Sequence, residues 1–106
     1  MKRLFISITL LMLFGCASSP WDSMPYEEAN AWQGIGVTAY DAYQFRSNGY
    51  TPVDIKPWKQ AGFDTPDLIM PWVENNFSPE EAKAWTKKNF SIDQAVEFRS
   101  QGLTVK

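Results

Sequence analysis

The chain has 106 residues, of which 44% are hydrophobic and 21% charged. That balance suits a single small globular unit with room for one core, and it excludes a disordered tail. With ten basic against twelve acidic groups and no histidine, the composition serves neither phosphate-backbone binding by counterion release nor the commonest acid–base and metal chemistry.

The first residues are Met1, Lys2 and Arg3, followed by an apolar or hydroxyl run from Leu4 to Phe14, then Gly15 and Cys16. A basic start and a hydrophobic run too short for a membrane span, which needs about 20 apolar residues, predict an export signal over residues 1–15. Leu13, Phe14, Gly15 and Cys16 resemble the lipobox of bacterial prolipoproteins, with Phe14 standing where a small or aliphatic residue is usual. The resemblance implies that Cys16 becomes the lipid-bearing first residue of the mature protein, held in a bacterial membrane by two or three acyl chains, which anchor far more firmly than one. Ala17 after the cysteine, in place of Asp, implies the outer membrane, with the domain facing the periplasm. Cys16 is the single cysteine in the chain, so no intrachain disulfide is expected and packing alone must stabilise the exported part. Without Lys2 and Arg3, eight basic groups remain against twelve acidic ones. Nucleic acid is not an expected partner.

Residues 16–24 read as a short tether, rich in small residues and without periodicity. Trp21 has two readings there: an aromatic resting in the membrane interface beside the anchor, or one packed on the edge of the domain.

Residues 25–106 read as a helical-repeat domain. Large aromatics recur at Trp32, Phe45, Trp58, Trp72, Trp85 and Phe98, spaced 13, 13, 14, 13 and 13 apart. This is an internal repeat, and the neighbouring columns follow it. Three places before each ring stand Ala29, Ala42, Ile55, Ile69, Ala82 and Ala95, all apolar. Four places after it stand Gly36, Gly49, Gly62, Asn76, Asn89 and Gly102, the residue types that most readily adopt a left-handed backbone. The next column, Val37, Tyr50, Phe63, Phe77, Phe90 and Leu103, is apolar or aromatic throughout. Thr38, Thr51, Asp64, Ser78, Ser91 and Thr104 follow, each a favoured N-cap.

The fifth copy shows the physical logic most fully. Ser78 caps, Pro79 takes the first helical position where a missing N–H costs nothing, and Glu81 completes a capping box. The helix stops at Asn89, whose left-handed conformation closes a Schellman turn and brings Phe90 against Trp85. Phe90 also precedes the cap Ser91, so it can staple against Ala95 in the next helix. Asp41, Asp54 and Gln94 stand at the capping-box position in their own copies, Asp41 being a short and weak partner. In the fourth copy an extra residue leaves Asp64 or Thr65 as the cap, and the first copy is the least regular at its start. Helices this short do not persist alone, since isolated helices below about 12–15 residues are marginal. The expected fold is therefore all-α: a compact array of about six short helices joined by Gly/Asn corners with the rings stacked inside. The pattern resembles the helical repeats of various uncharacterised bacterial proteins that read Trp, three residues, Gly-Phe, Ser/Thr-Pro, an acidic pair and Ala. The match covers residues 27–104 and is best at "WKQAGFDTP" and "FSPEEAKAW". No catalytic activity attaches to that pattern.

No catalytic residue, metal or cofactor is expected. The pairs Glu27 with Glu28 and Glu80 with Glu81 fall in first helical turns, where dipole and capping roles suit them. The single glycines end helices and build no phosphate cradle. Pro57 and Pro71, each directly before a tryptophan at the sixth helical position, depart from the pattern. An interior proline typically costs about 3 kcal/mol, so these two helices should kink or split. The structural reading is a change of curvature. The functional reading is a groove edged by Trp58, Trp72 and Lys59, where a peptide, glycan or peptidoglycan fragment could lie. The first functional expectation is a non-enzymatic envelope lipoprotein, with an interaction or scaffolding module that meets an envelope protein partner. A ligand-binding lipoprotein using the groove is the alternative, and a carboxylate enzyme the third.

Overall fold

The computed structural model describes residues 19–105. Among them are six α-helices and no strand, so the chain forms the all-α array expected from its repeat. They are α1 (Tyr26–Gly34), α2 (Ala39–Ser47), α3 (Pro52–Gln60), α4 (Pro66–Glu74), α5 (Pro79–Lys87) and α6 (Ile92–Ser100). The leader and Cys16 lie outside the described residues.

All six helices end in one kind of corner. Gly36, Gly49, Gly62, Asn76, Asn89 and Gly102 have positive φ, from 63° to 100°. The N–H after each donates back to the carbonyl of the ring residue: Val37 to Trp32, Tyr50 to Phe45, Phe63 to Trp58, Phe77 to Trp72, Phe90 to Trp85 and Leu103 to Phe98, every one at 3.0 Å. The left-handed residue itself donates to the carbonyl just beyond the ring, at 2.9–3.1 Å. These are the two bonds of a Schellman motif, and they satisfy carbonyls that a helix end otherwise leaves bare. The apolar contact that goes with the motif is an edge-on ring pair in three copies. Trp58 meets Phe63 at 5.5 Å, Trp72 meets Phe77 at 5.1 Å and Trp85 meets Phe90 at 5.6 Å between centroids.

The helix starts are less uniform. Thr51 with Asp54, Ser78 with Glu81 and Ser91 with Gln94 form complete capping boxes. Thr38 accepts from the Asp41 N–H at 3.2 Å, but no return bond comes from Asp41. In the fourth copy Thr65 is the N-cap, and its side chain accepts no bond. The box position there holds Leu68, which has no acceptor to return. Pro25 precedes α1 with no side-chain cap.

The chain ahead of α1 is not all tether. Asp22 N–H donates to the Ser19 carbonyl and Met24 N–H to the Trp21 carbonyl, both at 3.1 Å. Met24 is buried in the core and Trp21 packs against it. The packed domain thus takes in residues 19–24 of the stretch expected to be a tether, and the rest of that stretch lies outside the described residues. Trp21 packs on the edge of the domain and keeps part of its indole open, so its two readings do not exclude each other.

Each helix meets its second neighbour. α1 contacts α3 and α2 contacts α4. Ala61, Gly62 and Phe63 at the end of α3 share a depression with Lys83 and Thr86 of α5, and Arg99 of α6 bonds the carbonyls of Asn75 and Asn76 after α4. Odd-numbered helices therefore make one row and even-numbered helices the other. Contacts of α1 with α2 and of α5 with α6 cross between rows, where Trp32 stacks on Phe45 and Trp85 on Phe98, both at 5.7 Å. The column three places before the rings is buried in every copy, as are five of the six ring residues. Among the described residues no polar or charged residue is buried, so the core rests on apolar burial with the backbone polar groups bonded at the corners.

Candidate functional site

The five candidates for a groove fall in the middle copies. Trp58 and Trp72 point inward, 5% and 6% exposed, each held edge-on by the ring of its own corner. They edge no open surface. Pro57 and Pro71 lie one residue earlier on the same helices, and consecutive helical positions are turned about 100° apart. A proline and the tryptophan after it therefore cannot line the same face, which is why the expected groove does not form around the indoles. Nor does either helix split. α3 and α4 run unbroken through Pro57 and Pro71. The Pro57 carbonyl accepts from the Ala61 N–H at 3.0 Å, and the Pro71 carbonyl accepts from the Asn75 side-chain amide at 2.8 Å.

What the surface offers there is three separate shallow depressions. Lys59 borders one of about 300 Å³ against Gly34 and Ile35. Pro57 borders one of about 200 Å³ facing Glu80 and Lys83. Pro71 borders one of about 300 Å³ with Gln44, Asp67 and Glu74. The Lys59 ammonium is drawn to its own corner, 3.3 Å from the Asp64 carbonyl and 3.6 Å from the Asp64 carboxylate. Cys16, the remaining candidate, lies outside the described residues.

The groups that carry chemistry elsewhere have structural duties in this molecule. Glu28 accepts from the buried Trp32 indole N–H at 3.2 Å and pairs with Arg46 at 3.0 Å, joining α1 to α2. Glu81 returns the capping bond to the Ser78 N–H at 2.9 Å. Arg99 has its guanidinium 3.9 Å from the centre of the Phe77 ring and donates to the Asn75 carbonyl at 2.6 Å. Among the described residues no cluster of three or more cysteine, aspartate or glutamate side chains is placed to hold a metal ion.

Three exposed side chains were not singled out from the sequence. Tyr40, Val53 and Leu68 project into solvent from the first turns of α2, α3 and α4, at 73%, 79% and 53% exposure. Their register was readable. Tyr40 and Val53 take the second helical position, where α5 and α6 carry Glu80 and Asp93, and Leu68 takes a position that the other copies give to Asp, Glu or Gln. First turns favour acids for their dipole and capping contacts, so apolar residues at these three places gain nothing locally. Compared with protein-family models, curated proteins and solved structures, the chain matches none.

Proposed function

We propose that this protein is an envelope lipoprotein, anchored through Cys16 to a bacterial outer membrane and facing the periplasm. Its helical array acts as a small, non-enzymatic interaction or scaffolding module. The anchor rests on the leader, with its basic start, short apolar run and Cys16 at the junction. Support for the interaction role comes from Tyr40, Val53 and Leu68, exposed apolar groups on three successive helices where the repeat would place polar ones. Exposed aromatic and branched side chains of this kind, when they do no work in the fold, suit contact with another protein. The array supplies a firm mounting, because each corner is held by two backbone bonds and the first five also by a packed ring or aliphatic side chain.

Two measurements test the proposal separately. Cys16→Ser is expected to release the protein from washed envelopes, and a mutant that stays bound would remove the lipid assignment. A photo-crosslinking residue at Val53 or Leu68 is expected to trap a specific envelope protein in cells, while the same probe at Glu80 or Asp93 traps little. Equal or no crosslinking at all four positions would remove the interaction role.

A further inference from the structure

We infer that the end of the array bearing Trp21 and Tyr26 lies in the headgroup layer of the anchoring membrane, so that the domain rests on the bilayer instead of hanging free of it. This rests on the lipid anchor proposed for Cys16. Chain length carries the first part. Ser19 is fixed in the turn before α1, where its N–H donates to the Asp22 carboxylate at 2.9 Å and its hydroxyl accepts from the Trp21 N–H at 3.1 Å. Three residue steps separate it from Cys16. A fully extended chain advances at most about 3.6 Å per residue, so whatever the conformation between them Ser19 stays within about 11 Å of the lipid-bearing residue. The polar layer on each side of a bilayer is itself about 5–8 Å deep. An anchored domain with so short a leash keeps this end at the membrane.

The side chains at that end suit such a place. Trp21 and Tyr26 border one open depression of about 390 Å³, together with Ser19, Asp22 and Met24. Tyr26 is 80% exposed at the first position of α1, where four of the other copies place Ala39, Pro52, Pro66 and Pro79. Its ring adds nothing to the core. Trp and Tyr are the side chains enriched at membrane interfaces, each with an apolar body and a polar edge that can stay hydrated. The depression is bordered by no lysine or arginine and by one acid, Asp22, and Glu27 is exposed beside Tyr26. The surface is thus matched to zwitterionic headgroups, and anionic lipid should repel it.

The test uses the full lipidated protein in phosphatidylcholine vesicles whose acyl chains carry bromine close to the headgroup. Bromine quenches tryptophan at contact range, and Trp32, Trp58, Trp72 and Trp85 are buried, so Trp21 is the one indole it can reach. Part of the emission is expected to be lost in brominated vesicles. That loss should vanish in Trp21→Phe, shrink in Tyr26→Ser, which alters an exposed side chain and leaves the core intact, and weaken when phosphatidylglycerol is added. Flotation of the same samples reads the anchor independently. Protein that floats with its vesicles yet shows equal emission with and without bromine overturns the inference and leaves the anchor standing. Quenching that persists in Trp21→Phe overturns it as well. Protein that fails to float overturns the anchor, and this inference with it.

Discussion

The two ends of the array use the same corners and are covered very differently. At the first end α1 has no capping side chain, yet the turn from Ser19 to Met24 folds over it, Met24 is buried, and Trp32 and Phe45 are fully enclosed. At the last end α6 has a complete capping box, yet Phe98 and Phe90 are half-buried and Leu103 is 49% exposed. Local grammar and burial are therefore independent quantities. Capping and corner bonds are set within about one helical turn, whereas burial requires a second neighbour. Among the described residues no helix lies two places beyond α5 or α6 to cover their corners.

That contrast can be broken most directly by removing a ring at each end. Trp32→Ala is expected to cost about 3–5 kcal/mol, since a fully enclosed aromatic is replaced by a cavity. Phe98→Ala, partly solvated already, should cost about half as much, because less apolar surface returns to water. Urea unfolding followed by circular dichroism measures both. Equal losses would mean that the last copy is as well supported as the first, and the comparison would fail.

The difference between the ends also marks what the amino-acid pattern could reveal. The corners were legible because they depend on single residues with a particular backbone preference: all six predicted positions, from Gly36 to Gly102, have positive φ. The core columns were legible for a similar reason, since a ring and an apolar residue three places earlier share one helical face. The stacking of each helix on its second neighbour was not, because a repeat that treats all copies alike does not say which copies touch. The expected groove failed on helical geometry, Trp58 and Trp72 being buried while Pro57 and Pro71 face elsewhere. Met24 was assigned to the tether because one buried methionine leaves no periodic trace. The exposed apolar side chains at Tyr40, Val53 and Leu68 stood in the alignment of copies all along, and became informative only once their faces were known to be bare.

A smaller difference separates the two arginines that follow rings at opposite ends. Arg46 pairs with Glu28 on the surface, both side chains partly open to solvent, and such pairs are worth roughly 0–1 kcal/mol and are screened by salt. Arg99 instead lies against Phe77 and donates to two carbonyls of the α4 corner, tying the last helix to the preceding helix of its own row. Charged hydrogen bonds contribute about 1.5–3 kcal/mol and a cation over a ring about 0.5–1 more at exposed sites. Arg99→Gln should therefore lose about 2 kcal/mol, with little change between low and high salt. Arg46→Gln should lose much less, and that loss should fade as salt is added. Matching losses in the two variants would show that Arg99 does not hold α6 to the array.

The finest test lies at the first corner, where two glycines two residues apart should respond to the same substitution with opposite sign. Gly34 closes α1 in helical conformation, and an added Cβ there meets open space. Glycine in a helix is less stable than alanine by about 0.5–1 kcal/mol, mainly through the freedom it regains on unfolding, so Gly34→Ala should raise stability by that amount. Gly36 sits at φ +82°, and the nearest atom to an added Cβ is the Lys59 side chain at an ordinary 3.9 Å. Space is not its constraint. Only the left-handed backbone opposes a side chain, at about 1–2 kcal/mol, so Gly36→Ala should lower the urea midpoint while Gly34→Ala raises it. Gly102, at the same φ and with nothing within 4 Å of its added Cβ, isolates the last point of the comparison. If its alanine variant loses as much as Gly36→Ala, the closing corner forms as firmly as the opening one, and only burial distinguishes the ends. If it loses nothing, the final turn opens before the rest of the array, and the weaker covering of α6 has reached the backbone itself.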